Sequence, residues 1–151
     1  MRSVSLAAGA VLALLAAAAP ARAQPQSLTG TWTVAGENRY EDCTVWTPRG
    51  RLTVDEIDGA GRYRGHIEIT GRTTIDKSCR NPPAEPPSDA EDRFESDVEL
   101  SLDKDIVTIR ELQLNRAFRY RWTARGLEFQ LDSCREAAPC TATTFRYERQ
   151  R

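Results

Sequence analysis

The sequence predicts an all-β fold, a barrel or sandwich of eight or nine short strands, and three observations predict it. Apolar residues alternate with polar ones along most of the chain beyond residue 27. No comparable stretch there places apolar residues at i, i+3, i+4 and i+7. Clusters of glycine, proline and aspartate punctuate the alternating runs at close spacing, where turns need them.

The strands follow in order. The first carries Leu28, Gly30, Trp32 and Val34 between threonines, the next Leu52 and Val54, and a third Tyr63, Gly65, Ile67 and Ile69. Phe94, Ser96, Val98, Leu100 and Leu102 mark a long fourth. A hairpin about Asp103 to Asp105 leads into the next strand, and either of two registers sets Arg110 opposite Asp97 or Glu99. Phe118, Tyr120 and Trp122, then Leu127, Phe129 and Leu131, then Phe145 and Tyr147 complete the series. Turns are expected at Pro48-Arg49-Gly50, Asp58-Gly59-Ala60-Gly61 and Arg125-Gly126. A two-residue turn at Arg125-Gly126 sets Ala124 opposite Leu127, Trp122 opposite Phe129 and Tyr120 opposite Leu131, apolar against apolar throughout. Each tryptophan lies in a W-T-x-x-G pattern, Trp32 to Gly36, Trp46 to Gly50 and Trp122 to Gly126, as expected of a residue capping a strand that turns at the glycine.

Ahead of the strands, Arg2, the apolar run Leu6 to Ala19 and Ala21-Arg22-Ala23 have the composition of a secretory signal peptide cleaved after Ala23. The run is too short to span a bilayer. The first cysteine, Cys43, is too far downstream for a bacterial lipid anchor. Cleavage leaves 128 of the 151 residues: a polar stub, 24–27, and a single domain, 28–151. All 22 acidic residues and 19 of the 21 basic ones lie in that part, a formal charge of −3 that counts against a strongly basic nucleic-acid binder. The expected location is secreted or periplasmic.

In that oxidising setting the four cysteines read as disulfides. Cys134 and Cys140 close a short loop containing Pro139, which favours their pairing and leaves Cys43 with Cys79. Metal sites of the C-x₂-C or histidine-spaced kind are not present in the sequence, and no metal or other cofactor is expected.

Charge and catalysis give less. Arg110, Arg116, Arg119, Arg121 and Arg125 are interleaved with aromatics, a pattern that can bind nucleic acid. Strand alternation instead sends the aromatics inward and the arginines outward to acidic cross-strand partners. The acidic run Asp89, Glu91, Asp92, Glu95, Asp97 and Glu99 lacks the spacing of a calcium loop. The one histidine, His66, falls on the face opposite Tyr63, Gly65, Ile67 and Ile69 and should meet solvent. With no G-x-S-x-G and no glycine-rich phosphate loop, the chain reads as a non-enzyme.

Leu28-Thr29-Gly30-Thr31-Trp32 opens the first strand with G-x-W, and Phe145-Arg146-Tyr147-Glu148-Arg149 closes the chain. In these two ends the chain resembles the calycins: lipocalins, fatty-acid-binding proteins and avidins. The resemblance implies a small antiparallel up-and-down β-barrel of about eight strands. It also implies that Trp32 plugs one end beneath an arginine of the last strand, for which Arg146 is the candidate. The helical lid of the fatty-acid carriers has no room between Gly36 and Tyr40, and their carboxylate-binding arginine falls on Phe145. Val34 and Ala35 replace the polar residues with which avidins hold biotin. The resemblance thus bears on the barrel more than on a ligand.

The leading functional expectation is a binding module that takes a small apolar or amphipathic molecule among inward aromatics, Tyr63, Tyr120, Trp122, Phe129 and Phe145. The alternative is a filled barrel acting on an envelope protein as an interaction or inhibitor module through the proline-rich loop 81–90, where Pro82, Pro83, Pro86 and Pro87 forbid a central strand.

Overall fold

A computed structural model describes residues 27–84, 91–134 and 139–151. The predicted leader, most of the stub, and residues 85–90 of the proline-rich loop lie outside the described residues. Ten strands follow one another: β1 (Gly30–Ala35), β2 (Asn38–Tyr40), β3 (Thr44–Asp58), β4 (Arg62–Ile75), β5 (Asp92–Asp103), β6 (Ile106–Glu111), β7 (Arg116–Thr123), β8 (Gly126–Phe129), β9 (Cys140–Thr143) and β10 (Arg146–Arg149). A 3₁₀ turn, Leu131–Ser133, is the only helical element among the described residues. None of these elements is a helix long and apolar enough to cross a membrane.

All pairings are antiparallel, and β1 pairs with both β3 and β10, which closes the sheet. Ten strands make eight staves, because the first and last are each interrupted once. The register that sets Ala35 opposite Arg146 continues through Asn38 opposite Thr143, so β1 with β2 and β9 with β10 each form one broken strand. The result is a closed eight-stranded antiparallel β-barrel, compatible with a calycin-like fold. Both expected disulfides are formed, Cys43 with Cys79 and Cys134 with Cys140.

One end of the barrel is filled. Trp32 is 1% exposed, donates its Nε1–H to the Leu28 carbonyl at 2.9 Å, and meets Trp122 edge-on at 6.0 Å between ring centroids. Leu52, Val54, Leu100, Val107 and Leu127 pack within the same buried core. The arginine over Trp32 is Arg149, its guanidinium 5.5 Å from the ring centroid, and the expectation of Arg146 is corrected. Side chains alternate along β10. Arg149 shares the inward face with Tyr147, whereas Arg146 points out to Glu148 at 2.5 Å.

Two turn expectations also change. Pro48-Arg49-Gly50 lies inside β3, paired with Gly71, Thr70 and Ile69 of β4. The register places Pro48 opposite Gly36, in the gap between β1 and β2, where the missing N–H forfeits no ladder bond. Gly126 likewise belongs to a strand, opposite Thr123, so the turn is Ala124-Arg125 and the partners are Trp122 with Leu127 and Tyr120 with Phe129. A side chain at Gly126, whose φ is 128°, would sit 2.0 Å from the Tyr147 carbonyl oxygen, so the glycine serves strand packing. The slip of two residues keeps every side chain on its expected face, but Leu131 leaves the sheet and is exposed. Trp46 and Trp122 accordingly do not cap strands that turn at Gly50 and Gly126.

On the outer face the arginine expectation holds for Arg119 with Asp132, Arg121 with Asp105 and Arg125 with Glu128, and Arg110 stands opposite Glu99. His66 also faces outward, its Nδ1 2.8 Å from Asp97 and its Nε2 3.3 Å from Glu95. The hydrogen bond to Asp97, reinforced by the charges of Asp97, Glu95 and Glu68, raises the His66 pKa above the usual value. A folded-state pKa above the unfolded one stabilises the fold below the unfolded pKa, and the gain is lost as pH rises through the folded pKa. His66→Gln should therefore lower stability modestly at pH 5 and leave it unchanged at pH 9, as checked by urea denaturation at the two pH values.

Candidate functional site

The other end of the barrel is hollow. A cavity of about 510 Å³ runs inward from the end where β2 and β9 meet and where Cys134 and Cys140 sit. Tyr120, Phe129, Phe145 and Tyr147 form its buried wall, with ring centroids 5.4 to 6.1 Å apart. Half-buried Tyr40, Trp46, Phe94 and Phe118 continue the aromatic surface toward the mouth. Strand alternation explains why so many rings converge: each stave sends every second residue inward, and these positions are aromatic on β2, β3, β5, β7, β8 and β10.

Of the five residues expected to contact a ligand, Tyr120, Phe129 and Phe145 line this cavity. Tyr63 and Trp122 do not. Tyr63 is buried in the core, and Trp122 packs on Trp32 at the filled end.

The cavity holds a polar group that the sequence reading placed wrongly. Arg116 shares the inward face of β7 with Phe118 and Tyr120, and its guanidinium lies 2.7 Å from the buried Glu111 of β6. It does not point outward with the other arginines. Arg116 also stacks over Phe118, 5.6 Å from the ring centroid. Burial raises the Glu111 pKa, and the neighbouring Arg116 opposes that rise. Burial above all pushes the Tyr120 and Tyr147 phenols up from their usual range. Asn38 accepts a hydrogen bond from Thr143 at 2.6 Å. The chamber is thus apolar in area, with a few fixed polar groups, the composition typical of small-molecule sites.

Trp46 depends on a glycine across the ladder. A side chain at Gly71 would lie 2.0 Å from the Trp46 indole nitrogen, so the bare backbone there is what lets the ring lie against β4. Gly71→Ala should displace the indole, shift its fluorescence emission and destabilise the fold by about 1–3 kcal/mol through overpacking. A Trp46→Phe background, in which the emission shift must vanish, checks the assignment.

Three exposed leucines lie at this end of the barrel, outside the cavity lining. Leu112 and Leu114, 45% and 55% exposed, lie on the loop between β6 and β7, which joins the strands at Glu111 and Arg116. Leu131, 48% exposed, follows β8 near Phe129.

Elsewhere, donor atoms of His66, Glu68 and Glu95 lie within 4.8 Å of one another on the outer sheet. Glu68 is engaged by Arg51 at 2.7 Å and His66 by Asp97, so ion pairing accounts for this group.

No family model matches the sequence, and neither a curated protein nor a solved structure matches it.

Proposed function

We propose that the protein is a secreted or periplasmic, non-enzymatic binding protein that takes a small apolar or amphipathic molecule into the barrel cavity. The observation that carries this reading is the aromatic-lined hollow at the end of the barrel opposite the buried Trp32. Its volume of about 510 Å³ lies within the usual range for small-molecule sites, roughly 300–1,000 Å³. A barrel that needed only a core would continue the packing found around Trp32. The rings instead stand around open space. The calycin-like ends of the sequence and the closed eight-stranded barrel support the same reading. The leader-like first 23 residues and the two disulfides support the compartment.

The test is native mass spectrometry of the purified mature protein after soaking in a cell extract. A discrete small-molecule adduct, lost on denaturation, is expected. A bare mass, together with an envelope protein captured in pull-down and released by deleting residues 81–90, favours the interaction module and overturns the cavity.

A further inference from the structure

We infer that the cavity selects a cationic amphiphile, an organic ammonium on an apolar tail, over the neutral or anionic molecule with the same tail. This rests on the reading of the cavity as a ligand site.

Four charged side chains line the chamber among the described residues: Asp42, Asp92, Glu111 and Arg116. The Arg116 charge is already engaged, 2.7 Å from Glu111, and an anionic head brought to it would meet that buried carboxylate at once. Asp42 and Asp92 remain at the mouth, both exposed and neither in an ion pair among the described residues. One Asp42 oxygen receives the Thr44 amide and hydroxyl at 2.9 and 2.6 Å, which fixes the carboxylate and leaves its second oxygen available. The lining charge is therefore two negative in excess.

The rings add a second, independent preference. Tyr40, Trp46 and Phe94 are partly exposed in the same lining as these carboxylates, and aromatic faces attract organic cations. Carboxylates beside open aromatic faces are the chemistry that recognises a weakly hydrated ammonium, with the apolar tail directed inward to Phe129, Phe145 and Ile109.

Decylamine, decanol and decanoate, equal in tail and different in head, test this by isothermal calorimetry at pH 7. Decylammonium should bind about tenfold more tightly than decanol at low salt, and decanoate more weakly than either. The advantage should shrink in 0.5 M salt, where screening shortens to about 4 Å. The double variant Asp42→Asn, Asp92→Asn should abolish most of the cation preference and leave decanol unchanged. Asp103→Asn, at the far end of the barrel, should alter nothing and so excludes adsorption to the acidic surface. Equal affinities, or a preference for decanoate, overturn the inference and leave the cavity in place. If none of the three binds, the cavity reading itself falls.

Discussion

Replacing Trp32 by alanine should lower the free energy of unfolding by about 3–5 kcal/mol, the usual cost of truncating a buried aromatic. Three contacts converge on this residue. Its ring closes the filled end of the barrel edge-on to Trp122, its Nε1–H satisfies the Leu28 carbonyl, and Arg149 lies over its face. The parts can be separated. Trp32→Phe keeps a ring but leaves the carbonyl unpaired, at about 1–3 kcal/mol. Arg149→Ala removes the cation above the ring, at about 0.5–2 kcal/mol. Urea denaturation with an unchanged m value measures all three. A loss below about 1 kcal/mol for Trp32→Ala would mean that the ring is not the plug, because a residue so buried cannot be removed so cheaply.

The second large effect is expected from the Cys43 to Cys79 disulfide. Converting both cysteines to serine should cost about 4 kcal/mol, the chain-entropy value for a closed loop of this length, against about 2 kcal/mol for Cys134 with Cys140. Both disulfides act at the open end. Cys43 joins β2 to β3, and the Cys134 to Cys140 bridge borders the cavity. The filled end has a tryptophan plug, whereas the hollow end lacks an equivalent core and is held by covalent ties, with Arg39 bonded to Glu37 and Asp76 alongside. Amide exchange in the Cys43→Ser, Cys79→Ser variant should therefore quicken first in β2 and the adjoining part of β3, while the amides about Trp32 stay protected. Uniform loss of protection would contradict this division of the barrel into two ends.

Much of this structure was legible in the sequence. Alternation settled which face each strand would bury, and it survived the two-residue slip at Trp122 and Phe129, since a shift of two preserves the face. The disulfides followed from compartment and spacing. What stayed hidden has definite causes. Pro48 and Gly50 look like a turn, and only the gap between β1 and β2, a tertiary feature, makes them acceptable inside β3. That misreading removed Trp46 from view as a cavity residue. Arg116 and Glu111 were readable by parity, Arg116 with Phe118 and Tyr120, Glu111 with Val107 and Ile109. The habit of sending charges outward concealed them, although two opposite charges that pair can face inward. The division into a filled and a hollow end could not be read at all. Tyr63, Trp122 and Tyr120 share the inward face, and their height along the barrel depends on the register of all eight staves.

The most direct test of the central proposal is a titration with N-phenyl-1-naphthylamine, a neutral apolar probe that fluoresces when taken out of water. The wild-type protein should give saturable, one-to-one enhancement with about micromolar affinity, the order expected of a probe this size in an apolar chamber. Thr73→Trp sets a second large ring opposite Trp46 at the partly exposed mouth, and should abolish the enhancement with the melting temperature retained. No saturable enhancement in the wild type, or undiminished binding in a folded Thr73→Trp variant, would contradict a ligand cavity in this barrel.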